Sequence, residues 1–419
     1  MVFRLALLSL ITLLVSSANT QEWRQFRGPG SRAQSVDAKI PAEFNDKTNL
    51  VWKQKLPGPG SSSPIIVGDR IFLTCYTGYG LSRKEPGDDK KLVRHLLCLS
   101  RETGKLLWQL SVKNKGNVAL YADFMPQHGY ATPTPTSDGK LVYAFFDTSG
   151  VHAFDLDGKH QWTVDVGEGF HGWGCGGSPI LLGDLLIINA AIENGDVVAL
   201  NKNTGKRVWR GKKIYSSFST PALLKLPNGK AELVVSMLRK LVAIDPTNGE
   251  RLWTFKTNRS YGVSSPVADG DKLYAVAQSP TRLVAIKGGG RGEVTDKQLI
   301  WTAPRVSSGI GSPILVGDNL YMIGRGGVLS CVSAKSGKVQ YRKRIPIRGT
   351  YYASPIAAGN QLYFVSRYSG IQVFQTGPKF KLLANNRFES DTSIFNGTPS
   401  ISGNRMFLRS DQYLYCVGK

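Results

Sequence analysis

The side chains best suited to chemistry in this 419-residue chain fall at related places. His128 and Tyr130 come first, followed by Phe170, His171 and Trp173, then Tyr215 and Phe218. Tyr261 follows, then Arg348 with Tyr351 and Tyr352, and last Asp391 with Phe395. Each group stands shortly before a Ser-Pro or Thr-Pro dipeptide. Aromatic rings mixed with a few His, Arg and Asp groups suit a small-molecule or peptide pocket. The same residues would also serve as apolar wedges filling a closed mouth. A second set comprises Arg239, Arg282, Arg325, Arg367 and Arg409, of which Arg325 and Arg367 each stand twelve residues after a Pro. An arc of guanidinium groups would hold carboxylates or phosphates through paired hydrogen bonds. Solvated turn residues are the plainer reading.

Nothing in these sets nominates a catalytic residue or a metal ligand. The acids nearby, Asp123, Glu168, Glu193 and Asp391, form no calcium motif, and Ca²⁺ takes roughly six to eight oxygens. The five cysteines include no adjacent pair, no Cys-x-x-Cys and no Cys/His cluster with metal spacing. Cys98, Cys331 and Cys416 occupy the slot that Ala199, Ala243 and Ala285 fill elsewhere, which marks them as small apolar core residues.

The elements that position these groups follow from the dipeptides. Ser63-Pro64, Thr134-Pro135, Ser178-Pro179, Thr220-Pro221, Ser265-Pro266, Ser312-Pro313, Ser354-Pro355 and Thr398-Pro399 recur at steps of 71, 44, 42, 45, 47, 42 and 44 residues. Within a period, short β-branched and aromatic runs alternate with Gly, Asn and Asp turns, the pattern of antiparallel strands joined by hairpins. Four strands per period of about 40–50 residues is the mark of a β-propeller blade. The last period has room for three strands, and Asn49–Leu56, with Trp52 in the slot of Trp108, Trp162, Trp209, Trp253 and Trp301, supplies the fourth. The fold expected is all-β: eight four-stranded antiparallel blades closed by the N-terminal strand. Short Gly turns then share one face. The longer second-to-third turns and blade-to-blade crossovers share the other, with insertions at 79–94 and 114–128 around blade one. Loops of that kind on a rigid scaffold carry binding.

The spacing Ala199…Gly205…Trp209, repeated at Ala243…Gly249…Trp253 and Cys98…Gly104…Trp108, resembles the tryptophan-docking repeat of pyrroloquinoline-quinone (PQQ) propellers. The resemblance covers roughly Leu50 to the C-terminus, with Tyr341 and Leu383 departing from the Trp slot. It implies kinship with BamB-type propellers and with the propeller of quinoprotein dehydrogenases. The dehydrogenases hold PQQ with calcium and often stack it on a disulfide between adjacent cysteines. This chain has none, nor a Cys-x-x-Cys-His haem site. The lean blades are similar to those of BamB-type propellers, although no lipid-anchor Cys is present. The expectation is a non-catalytic scaffold or ligand-binding module of the cell envelope without a cofactor. A PQQ-dependent dehydrogenase and a polysaccharide-binding propeller are the alternatives.

The ends and the charge bound the setting. Arg4, the apolar run Leu5–Val15 and Ser16-Ser17-Ala18 read as a signal peptide over 1–18. A leader over 19–48, expected to lie against the propeller side, precedes the propeller over 49–419. No later segment is long enough to span a membrane, so a soluble, exported, periplasmic monomer is expected. The formal charge of +23 suits an envelope protein or anionic polymer as partner on the variable-loop face. Export and the lack of a nucleic-acid-binding motif speak against nucleic acid.

Overall fold

In the computed structural model, residues 22–277, 282–294, 297–306 and 309–419 are described, apart from the side chains of 258–261. The signal segment 1–18 lies outside the described residues. Eight sheets make eight blades, and four short 3₁₀ turns are the helical segments among the described residues. Blade three shows the plan. Ile180–Leu182, Leu185–Ala190, Asp196–Asn201 and Arg207–Lys212 pair antiparallel in sequence order. Gly183-Asp184 closes the first hairpin in two residues with Gly183 at φ +57°, and Gly is favoured at that first turn position because a side chain would be strained there. The two middle strands are buried along nearly their whole length, whereas the fourth alternates. Neighbouring blades cover both faces of the middle strands, so they read as unbroken apolar runs.

The Trp slot connects blades. Trp209 lies directly across from Ala199, Trp108 from Cys98 and Trp52 from Cys416, so a small residue opposes each indole within its own blade. The Gly that the indole covers belongs to the next blade. A Cβ at Gly104 would fall 2.5 Å from the Trp52 ring, one at Gly205 2.8 Å from Trp162, and one at Gly337 2.7 Å from Trp301. The indole N–H donates to a carbonyl of that next turn, as in Trp162 Nε1 to Lys202 O at 3.1 Å and Trp301 Nε1 to Ala334 O at 2.9 Å. Trp253 departs by donating to the Glu232 carboxylate in its own blade at 2.7 Å. Blade eight is completed by Leu50–Lys55 on Tyr413–Val417, and Trp52 carries the docking on to blade one.

The leader is partly where the sequence suggested and partly not. Residues 37–46 run along the side of blade seven. There Phe44 is buried, its N–H bonds Asn386, and the Ile40 carbonyl accepts from Tyr363. Blade seven, like blade six, has no Trp in the docking slot. Residues 23–36 instead cross the end of the central channel on the short-turn face. Trp23 bridges Ile66 of blade one, Arg24 O accepts from Ser137 N of blade two, and Arg27 donates to Pro313 O of blade six. Gln34–Ser35 adds a parallel strand to the innermost strand of blade seven. The innermost strands leave backbone groups open toward the axis, and the leader satisfies several of them.

Candidate functional site

On the axis, between this leader and the crossovers of the opposite face, lies a cavity of about 150 Å³. Its wall is built by the repeat itself, since all eight Ser/Thr residues of the dipeptides line it. Proline cannot donate, so the residue before it opens each innermost strand with its own N–H pointing along the ring. Seven of these N–H groups donate to the hydroxyl of the next blade's Ser or Thr at 2.9–3.0 Å, from Ser63 to Thr134 around to Ser354 and Thr398. The eighth step, back to Ser63, is not made, and the Ser63 hydroxyl has no partner among the described residues. At that seam Ser400 Oγ donates to Pro64 O instead, and buried Arg409 donates to Ser62 Oγ and Thr74 O.

Aromatic rings cap the cavity on the long-loop side. Phe124, Trp173, Phe218 and Tyr352 line it, with Phe124 5.5 Å from Trp173 and Trp173 5.5 Å from Phe218. His128 joins this lining, its Nδ1 2.8 Å from Thr132 Oγ1. Desolvation pulls its pKa down to about 4, so the imidazole is neutral at pH 7. Phe26 of the leader closes the other end.

The expected rim residues divide. His128 and Trp173 meet at the cavity, and His171 stands one ring behind, edge-on to Trp173 and Phe218 at 5.5 and 5.3 Å. Tyr130 is no rim residue. It is buried between Tyr76 and Tyr79, with its hydroxyl on Ala119 O, because the blade-one insertions fold over it as a small core of their own. Tyr351 is likewise buried, donating to Gln372 Oε1 at 2.8 Å. Tyr215 and Arg348 are exposed away from the cavity, and the side chain of Tyr261 lies outside the described residues. Phe26 and the hydroxyl ring were not foreseen as lining. The ring was legible in principle, because a residue that opens every innermost strand must face the axis.

The arginines form no continuous arc. Arg239 and Arg325 are exposed, and Arg282 is half-buried. Arg367 is drawn inward by Gln127 from the blade-one insertion, donating to its side chain at 2.6 Å and its carbonyl at 2.8 Å, and to Asn396 at 3.0 Å. Arg409 is spent at the seam. Equal spacing from Pro therefore gave Arg325 and Arg367 opposite surroundings.

The acids do not converge on the cavity either. Asp123 and Glu168 are exposed, and Asp391 holds Tyr415 and Ser393. Glu193 is buried, and burial together with the Asp147 carboxylate holds its carboxyl well above the usual range. Calcium-bound PQQ does not suit this lining, which offers no carboxylate for a cation, and no three His, Cys, Asp or Glu side chains are grouped to hold a metal among the described residues. The five cysteines are buried as thiols, and burial pushes Cys75, Cys98, Cys331 and Cys416 up to about 12. Among the described residues, no helix is long and apolar enough to cross a membrane.

Comparison with known proteins agrees with the architecture. Residues 89–220 and 216–379 match a family model described as outer membrane protein assembly factor BamB. A protein of that name from Burkholderia pseudomallei is 23% identical over 371 residues, covering 85% of this chain and 84% of the relative. Among solved structures, BamB from Moraxella catarrhalis superposes with a TM-score of 0.61 at 13% identity, covering 88% of this chain and 97% of that one. A europium-containing methanol dehydrogenase superposes with a TM-score of 0.63 at 11% identity, covering 95% of this chain and 98% of that one. At such identities the two superpositions establish the fold alone.

Proposed function

The chain belongs to the BamB family of outer membrane protein assembly factors, and from that premise we propose that it is a non-catalytic scaffold of the cell envelope. Its long-loop face is the surface offered to a protein partner. One observation carries this reading: the exposed aromatic side chains Phe170, Tyr215 and Tyr368 all stand on that face, beside exposed Arg239, Arg325 and Arg348. Aromatic and Arg side chains are the residue types that dominate binding energy at interfaces, and truncating such an anchor costs about 2 kcal/mol or more. The arginines add selectivity for acidic groups and speed encounter. Support against a dehydrogenase reading comes from the cavity, whose uncharged lining is unlike a calcium or redox centre.

The test is capture of solubilised envelope protein on the immobilised chain. A Phe170→Ala/Tyr215→Ala/Arg325→Glu variant is expected to lose at least about tenfold in captured partner, the equivalent of about 1.4 kcal/mol. A Lys105→Glu/Lys206→Glu variant, altered on the short-turn face, is expected to retain it. Equal capture by the first variant and the unaltered protein would remove the long-loop face from the mechanism.

A further inference from the structure

We propose that the axial cavity binds a small organic acid, with its carboxylate held by the hydroxyl ring and its apolar body beneath the aromatic cap. This site is separate from the partner face and stands without it. Three features of the molecule point there.

The first is the polarity of the ring. A Ser or Thr hydroxyl has one hydrogen to donate and two lone pairs. From Thr134 to Thr398, seven ring hydroxyls each accept a backbone N–H, and none has an acceptor for its own hydrogen among the described residues. The hydroxyls of Ser63 and Tyr352 have no partner of either kind there. All nine residues are more than nine-tenths buried and line one cavity. Buried polar groups in folded proteins are nearly always satisfied, so this cavity calls for acceptor atoms. A sugar or polyol brings a further donor with every hydroxyl, whereas an ionised carboxylate brings acceptors only and answers that surplus better.

The second is an uncompensated buried cation next in sequence to the lining residue Phe26. Arg27 follows Phe26, which lines the cavity, and is 1% exposed. Its Nη2 donates at 2.6 Å to Pro313 O, the carbonyl next to ring residue Ser312, while its Nε has no partner among the described residues. Burial lowers its pKa to about 10 with no acid acting on it. A buried charge is ordinarily paired, and a carboxylate on the axis would supply the missing charge.

The third is the cap. Phe124, Trp173 and Phe218, with Val263 and Ile310, give the other end an apolar lining, which a bare inorganic anion would leave unused. Volume sets the size of the guest. An apolar cavity of about 150 Å³ accommodates a benzene ring.

Benzoate is therefore the probe. Calorimetry and thermal unfolding of the protein are measured with sodium benzoate, with benzyl alcohol as its neutral counterpart, and with sodium chloride at matched ionic strength. Saturable one-to-one binding of benzoate is expected, with benzyl alcohol at least tenfold weaker and chloride unable to displace benzoate at equal concentration. Val263→Trp, which fills the cavity, is expected to abolish binding, and Arg27→Gln to weaken it at least tenfold. Should Arg27→Gln fail to fold, Thr220→Val/Ser265→Ala, which removes two ring hydroxyls, is expected to show the same loss. Absence of saturable benzoate binding overturns the proposal. So does equal binding of the alcohol, displacement by equimolar chloride, or undiminished binding by Val263→Trp.

Discussion

The glycine under each docking indole shows how one residue type can answer two demands. Gly205 has φ +71°, and a Cβ there would stand 2.8 Å from the Trp162 ring. Gly317 has φ +54° with nothing within 4 Å of the same position. Left-handed backbone alone costs a non-Gly residue about 1–2 kcal/mol. Gly317→Ala is accordingly expected to destabilise by about that amount. Gly205→Ala must also displace an indole packed between blades, and about 3 kcal/mol or more is expected for it. Urea unfolding with unchanged slope measures both, and equal losses would show that the indole contact contributes nothing. The Gly and Trp of a repeat were legible as a pair in the sequence, yet each indole packs on the Gly of the next blade. Reading along one period cannot reveal that the partner sits a period away. The same limit explains Tyr130 and Tyr351, whose position before a Ser/Thr-Pro was evident but whose side-chain direction was not.

At the level of elements, the repeat predicted the blades and their closure well because every strand is set by local turn chemistry and apolar runs. The leader has no period, so only its composition was visible and not its course across the channel end. Its anchor is Trp23, fully buried, with its ring so close to Gly28 that a Cβ there would stand 2.5 Å away. Trp23→Ala is expected to cost about 3–5 kcal/mol, the usual range for deleting a buried aromatic side chain. The loss should register as a lower midpoint of thermal unfolding. A change below about 1 kcal/mol would mean that the leader is a covering rather than part of the fold. The cavity depends on the same segment, since Phe26 ends it and Arg27 is bonded to Pro313 O, next to ring residue Ser312.

For the molecule as a whole, charge is unevenly spread. From Asn319 to Phe388 there are eleven Lys and Arg and no Asp or Glu, against a formal charge of +23 for the entire chain. Ten of the eleven are exposed, Arg367 being the exception. They run from the turn residues Lys335, Lys338, Lys379 and Lys381, over Arg342, Lys343 and Arg344 on the outer strand of blade six, to Arg325 and Arg348 on the long-loop side. Clustered charge focuses the surrounding field more than the same charge dispersed. Arg342→Glu/Arg344→Glu is therefore expected to elute from immobilised heparin at lower salt than Arg207→Glu/Lys212→Glu, although both lose four units of charge. Identical elution would show that net charge alone governs retention.

The clasp of blade eight also has a meaning in time. Leu50–Lys55 is made early and pairs with Tyr413–Val417, the final strand of the ring to be made. The leader just before it is held by blades one, two, six and seven. Blades two and three can assemble as they emerge, each from its own contiguous stretch. Blades four and five follow as a pair, since Gly292–Glu293 of the blade-five segment adds to the sheet of blade four. Residues 50–55 must wait unpaired until the final strand of the ring has been synthesised, and Phe44 stays uncovered until blade seven is made. Long-range pairings of this kind form slowly and expose apolar surface meanwhile. The interval between the synthesis of these two strands is thus the period in which a newly made chain depends most on a chaperone or on passage in an unfolded state. The ring becomes a single cooperative body only when its end meets its beginning.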